Sequence, residues 1–416
     1  MLARYRPAAR AAAAKADGWP ARLASVAALD SVRRACTQAA RDQAWLNRQH
    51  LELCRIPAPT FQEGERARHL RRVFAGLGHT PRIDPAGNVV VPLAHAPRRP
   101  YIAVTAHMDT ILAPSRPDDI RVDVDGTMRG PGVTDNGTGL AALVALAKLL
   151  AEPLVDNPTR NTLLVANVAE EGEGNLHGIR YVANESPYAK SIDRYLVVDG
   201  PSVSHITTAA LGSKRYELVI EGPGGHSWND FGRANPIHAL SRAVDLMTRA
   251  KLPVRPRTTL SVGVVQGGTS VNSIPTSARA KIDVRSVDEE EIRRTARFVE
   301  EAARTAILAE NRTATHRLTR FRLREIGSRP AARALPLNPV ADCFEAVDSH
   351  LRIPSTFDCA STDANVPLAR GVPTVAVGSG GRGGNAHAPG EWYDPQGRDL
   401  GLRRLVLALA CLQQER

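Results

Sequence analysis

Asp135 stands in the run Gly130-Pro131-Gly132-Val133-Thr134-Asp135-Asn136-Gly137-Thr138-Gly139. Upstream, Met128 and Arg129 end an alternating segment, and downstream Leu140–Leu150 is an Ala- and Leu-rich helical pattern. Four glycines and a proline let this backbone turn tightly. A carboxylate held there can offer one oxygen to each of two partners, or serve as a plain helix N-cap. Four further places carry ligand-type residues: His107-Met108-Asp109, Glu170-Glu171, Asp199, and His387 in Gly383-Gly384-Asn385-Ala386-His387. His107 can bind a metal through one ring nitrogen, and Asp109, two residues on, can orient the imidazole. Of two adjacent glutamates, one can ligate while the other acts as a base. Imidazole and carboxylate without thiolate suit two zinc ions, or manganese or cobalt, with Asp135 bridging. Two such ions roughly 3.5–4 Å apart polarise a carbonyl and generate hydroxide near neutral pH.

Apolar runs with strand character precede these positions: Tyr101–Ala106 before His107, Thr162–Val168 before Glu170, Tyr195–Val198 before Asp199 and Thr374–Val377 before the His387 loop. Unbroken apolar runs between helices predict buried parallel strands of an α/β sheet, whose C-terminal edge is where sites assemble. Asn88–Leu93 adds another strand, and Ala27–Leu53, Glu63–Leu77, Val340–Ser349 and Leu400–Gln413 add helices, with Arg55–Thr60 a turn and Gly78 a helix stop. From about Leu211 the character changes. Arg215–Glu221 alternates, Asn235–Ala250 is helical, Thr258–Val265 and Ala278–Val287 alternate, Glu289–Ala309 is an amphipathic helix, and His316–Ile326 is a strand ending at a turn over Gly327–Pro330. That β-α-β-β-α-β order is the ferredoxin-like signature. It predicts an inserted domain at 210–328 dividing an α/β domain into 1–209, with residues 1–25 as an N-terminal arm, and 329–416.

The 416 residues are 43% apolar and 23% charged, an ordinary soluble composition. No apolar run is long enough for a membrane span, and no secretory leader is apparent, so no membrane partner is expected. The net charge of +11 comes from arginines spread among acids, and aromatics are only 4%. Neither a basic stripe nor a stacking platform results, and no nucleic-acid partner is expected. Cys36, Cys54, Cys343, Cys359 and Cys411 are scattered and odd in number, which suits free thiols in a reducing, cytoplasmic setting. Gly378-Ser379-Gly380-Gly381-Arg382-Gly383 has dinucleotide-binding spacing, but Pro389 and Gly390 preclude a following helix.

The ordered set His107-Met108-Asp109-Thr110, Gly132-Val133-Thr134-Asp135-Asn136-Gly137, Glu170-Glu171-Gly172, Asp199, Gly224-Gly225-His226-Ser227, Gly267–Pro275 and the His387 loop resembles the family of peptidase T, acetylornithine deacetylase and carboxypeptidase G. The resemblance covers roughly Leu53 to the C-terminus. It implies a discontinuous α/β zinc-exopeptidase-like catalytic domain, a mostly parallel sheet between helices, with a ferredoxin-like lid and dimerisation domain inserted. It implies that His107, Asp135 and Asp199 hold one metal and Asp135, Glu171 and His387 the other. Glu170 is then the general base and Asp109 orients His107. A cis peptide between Asp135 and Asn136 is implied too. By the same resemblance His226 reaches a substrate carbonyl, often across a homodimer, while Asn272 and Arg285 line the cleft. The implied activity is metal-dependent amide hydrolysis in small peptides. An N-acyl amino acid deacylase is the alternative within the class, and a non-catalytic metal-binding homologue the alternative outside it.

Overall fold

The computed structural model describes residues 18–315 and 318–415. Most of the expected N-terminal arm lies outside them, its last part opening the helix Gly18–Ala27. His316, the expected start of a strand, lies outside too. The chain forms two compact units: one runs to Ala210 and resumes at Ala334, and the other is Leu211–Arg333.

In the first unit, eight strands form a mixed sheet among the described residues. Its order is Arg82–Ile83, Val89–Leu93, Asn161–Asn167, Tyr101–His107, Ile192–Val198, Thr374–Val377, His205–Ala210 and Thr356–Ala360. The four strands from Asn161–Asn167 to Thr374–Val377 run parallel. They are the strands with the strongest apolar runs, because helices cover both of their faces. Thr356–Ala360 also runs parallel to His205–Ala210, so most neighbours in the sheet are parallel as expected, and the remaining pairings make it mixed. Val89–Leu93 runs antiparallel to Asn161–Asn167, and His205–Ala210 antiparallel to Thr374–Val377.

The helices Gly137–Leu149 and Arg398–Gln413 are buried on nearly every side. The apolar sequence of Gly137–Leu149 matches a position inside the core rather than on it, while Arg398–Gln413 also buries Arg404, which pairs with Asp348. The single helical pattern expected over Ala27–Leu53 is two helices, Asp30–Arg41 and Gln43–Arg55, broken at Asp42. One non-helical residue leaves the apolar spacing intact, so the break is silent in the pattern. A small second sheet matters to the site. Trp392–Asp394 pairs with Met128–Arg129 on one side and with Arg382–Gly384 on the other. It joins the approach to the Asp135 loop with the loop that carries His387.

The second unit is an antiparallel four-stranded sheet in the order Thr258–Gly267, Ser277–Ser286, Gly212–Glu221 and Arg320–Arg329. With the helices Pro236–Thr248 and Glu289–Thr313 this is the ferredoxin-like topology. Alternate residues of Ser277–Ser286 are buried, and Ala280, Ile282 and Val284 pack with Leu240, Ala243 and Val299. Asp288 caps the long helix, accepting from Glu290 and Glu291 N–H. The expected turn at Gly327–Pro330 is strand as far as Arg329. An irregularity between Glu325 and Gly327 leaves Ile326 without a register partner, after which Gly327 pairs with Arg215 and Arg329 with Ser213. The unit therefore ends at Arg333 rather than 328.

Candidate metal centre

Three parallel strands deliver the first ligands. His107 is the last residue of its strand and is 2% exposed. Its Nε2 lies 3.0 Å from Asp135 Oδ1 and 3.9 Å from Asp199 Oδ1. Asp199 follows the strand Ile192–Val198 directly, and Glu170 and Glu171 follow Asn161–Asn167 after a short turn. His387 arrives on the C-terminal loop with Nε2 3.0 Å from Asp135 Oδ2 and 2.7 Å from Glu171 Oε1. The two oxygens of Asp135 thus face different imidazoles. Ligand atoms of His107, Asp135 and Glu171 lie within 4.8 Å of one another. Asp135 Oδ1 is buried and accepts no hydrogen bond. A buried carboxylate oxygen without a donor, beside imidazole nitrogen, is the donor set a divalent cation takes.

The electrostatics point the same way. Burial disfavours a charged His107, yet Asp109, Asp135 and Asp199 push it well above the ordinary imidazole range. Asp135 and Glu171 push His387 up to about 10, against its partial burial. Burial favours a neutral Asp135, but the two imidazoles bring it below the usual carboxylate range. Asp199 is pushed up by burial and by the charges of Asp135 and Glu171, against the contact with His107. The pocket thus gathers carboxylate charge around two imidazoles, a field that a divalent cation would neutralise.

Asp109 does more than was expected of it. His107 Nδ1 is 3.0 Å from the Asp109 carbonyl oxygen, and the carboxylate is farther, at 3.5 Å. That carboxylate accepts the N–H groups of Glu170 and Glu171, each at 2.9 Å, and the Thr60 hydroxyl at 2.9 Å. It fixes the backbone of both glutamates. Glu170 itself is buried.

The Asp135–Asn136 peptide is cis. The helix cap is Asn136 and not Asp135: its Oδ1 accepts Gly139 N–H at 3.0 Å. The same side chain donates to Val198 O at 2.9 Å and accepts Gly200 N–H at 3.3 Å, tying the loop to both flanks of Asp199. Asp135 is released from capping to face the imidazoles.

Thr60, Asn136 and Glu391, whose carboxylate accepts three N–H groups of the Asp135 loop, escaped the sequence reading. Asn136 was legible as an N-cap type at a helix start. Thr60 and Glu391 carried no signal, since their partners lie far away in sequence.

His226, Asn272 and Arg285 belong to the second unit. His226 is exposed, and its Nδ1 accepts the N–H groups of Trp228 at 3.2 Å and Asn229 at 3.4 Å. With Nδ1 engaged as an acceptor, Nε2 is the ring nitrogen left to act as a donor. Asn272 is its neighbour: the Asn272 carbonyl accepts Ser227 N–H at 3.0 Å, and its Oδ1 accepts the Ser270 hydroxyl at 2.6 Å. Arg285 lies elsewhere on the sheet, with Nε 2.6 Å from Asp283. The Gly378–Gly383 run leads into the strand Arg382–Gly384, not a helix.

Residues 103–411 match the peptidase family M20/M25/M40. Among curated proteins, a probable carboxypeptidase of Aspergillus oryzae is 28% identical over 208 residues, 45% of this chain and 48% of that protein. The chain thus spans about half the length of such relatives. Among solved structures, a tripeptidase of Staphylococcus aureus superposes with a TM-score of 0.73 at 19% identity, over 90% of this chain and 99% of that one. A dinuclear metal-binding M20 peptidase of Bacillus subtilis superposes with a TM-score of 0.63 at 18% identity, over 90% and 99%.

Proposed function

Because the chain belongs to the peptidase family M20/M25/M40, we propose that it hydrolyses an amide bond in small peptides, as a di- or tripeptidase or another exopeptidase, with two divalent cations. The observation that carries this reading is Asp135, each of whose oxygens lies 3.0 Å from a different imidazole. His107, Asp135 and Asp199 would hold one cation, and Asp135, Glu171 and His387 the other. Zinc suits this nitrogen and oxygen set, as do cobalt and manganese. Such a pair supplies Lewis acidity to the scissile carbonyl and acidity to the attacking water.

The chain's own groups do the rest. Glu170, fixed through its backbone by Asp109, takes the proton of the attacking water and returns it to the leaving amine. Asp109 holds His107 through its carbonyl oxygen and both glutamates through its carboxylate. His226 presents an N–H for the developing oxyanion, a role supported by its Nε2, the ring nitrogen left to donate. Asn272 and Arg285 are assigned to the rest of the substrate by resemblance alone.

The inserted unit is read as a lid and homodimerisation domain. Its exposed edge strand Thr258–Gly267, bearing Val264 and Val265, supports pairing with a second copy. Among the described residues no helix is long and apolar enough to cross a membrane. The five free cysteines support a reducing, cytoplasmic setting.

One screen tests the reading. The zinc-loaded protein is assayed on di- and tripeptides with free or blocked termini and on N-acyl amino acids. Hydrolysis of peptides that is lost on chelation is expected. Turnover of N-acyl amino acids alone would move the chain to the deacylases. No turnover of either class, with metal bound, would make it a non-catalytic homologue.

A further inference from the structure

Glu391 is not among the ligands, yet it is built into the centre. It is 2% exposed. Its Oε1 accepts the N–H groups of Thr134 at 2.7 Å and Asp135 at 2.9 Å, and its Oε2 accepts that of Gly132 at 2.8 Å. Its backbone carbonyl accepts Gly130 N–H at 3.0 Å. The Thr134 hydroxyl reaches the next carbonyl, that of Trp392, at 2.7 Å. The loop that presents Asp135 is therefore fastened along its length to one distant residue.

Glu391 also closes the turn that presents His387. Its N–H donates to Ala388 O at 3.1 Å, and Ala388 N–H donates to Asn385 O at 3.1 Å. One short turn thus carries His387 at one end and, at the other, the carboxylate that grips the backbone of Asp135. Burying a carboxylate is costly, and an apolar side chain would fill the space without that cost. What an apolar group cannot do is accept three N–H groups from three residues of one loop. Gly132, with φ +78, takes the left-handed conformation that curls the loop around this carboxylate.

We propose that Glu391 is a positioning residue of the metal centre: it sets Asp135 against His387, so that the position formed by Asp135, Glu171 and His387 exists before a cation enters it. This rests on the ligand assignment given above.

The test is a titration of the metal-stripped full chain with cobalt(II), followed by calorimetry and by visible absorption, for wild type, Glu391→Gln and Glu391→Ala. Thermal unfolding of each metal-free protein is measured alongside. Gln keeps the shape but turns one acceptor oxygen into an N–H donor that faces backbone donors. The expected result is two cobalt equivalents on wild type, with the second bound roughly 10–100-fold more weakly in Glu391→Gln, the range for losing a residue that orients a ligand. Its absorption band should change, the first equivalent should change less, and Glu391→Ala should show the larger loss. A purely structural Glu391 would lower the metal-free unfolding temperature and leave both affinities and the spectrum unchanged, which would overturn the proposal. If Glu391→Ala does not fold, Glu391→Gln decides. Fewer than two equivalents on wild type would instead overturn the two-metal reading beneath it.

Discussion

Glu170 and Asp135 are both acidic residues of one pocket, and their removal should be felt differently. Glu170→Gln keeps size and polarity but removes the proton acceptor. Its kcat should fall by about 10²–10⁴, the usual contribution of general acid–base catalysis, with metal content per chain unchanged. Steady-state rates read beside elemental analysis check this, and a kcat within a few-fold of wild type would remove Glu170 as the base. Asp135→Ala should empty both positions, because its two oxygens face both imidazoles, whereas His387→Ala should empty mainly one. Two tightly bound ions in Asp135→Ala would end the bridging assignment. At this scale the sequence was informative where chemistry and local pattern coincide. Candidate ligands could be picked out because each follows a strand or sits on a glycine loop. Glu391 could not, because an acid in Pro389-Gly390-Glu391 looks like any solvated turn residue, and its three N–H partners are 256 to 259 residues away. Asp109 was read for its carboxylate, while its carbonyl meets the imidazole more closely.

Among the elements, the start of the helix Gly137–Leu149 is tightly constrained. A Cβ on Gly139 would lie 2.5 Å from Val198 O and 2.8 Å from Asn136 Cγ. Both contacts belong to the cap that ties the Asp135 loop to Asp199. Gly139→Ala should therefore destabilise the fold by about 1–3 kcal/mol, the usual cost of overpacking, and weaken metal binding as well. Denaturant unfolding and metal retention on dialysis measure the two. A loss under about 0.5 kcal/mol, the scale of surface substitutions, would show that the cap is slack. The buried strands and amphipathic helices were legible because burial on two faces or on one stripe leaves a period in the sequence. The strand His205–Ala210 left none: His-Ile-Thr-Thr-Ala-Ala lacks an apolar run, although five of its six residues are buried. Thr356–Ala360 pairs beside it, half-exposed and equally silent. The small sheet that joins residues 128–129 to 392–394 was invisible for another reason. Strands of two or three residues have no period to read, and their pairing spans most of the chain.

For the whole molecule, the two units have separate cores, and all of the proposed ligands lie in one of them. The split was visible in the sequence as a change from apolar runs to alternation near Leu211, which is a change from buried parallel strands to a sheet with one covered face. A cation that binds only the folded state stabilises it by mass action, about 2.7 kcal/mol at a hundredfold excess over Kd. Hydrogen exchange with and without zinc should therefore show slowed exchange around residues 107–110, 130–140, 167–172, 198–200 and 383–392. The core strands of Leu211–Arg333 should exchange as before. Protection concentrated in those strands would place the metal in the other unit.

The central claim is that two cations and this pocket together make an amide hydrolase. The most direct measurement titrates zinc into the metal-stripped full chain and records the rate of hydrolysis of a peptide found in the screen at each addition. The rate should rise from near zero, depend on bound metal, and level off at two equivalents per chain. Full activity in the metal-free protein, or a plateau with only one equivalent bound, would contradict it.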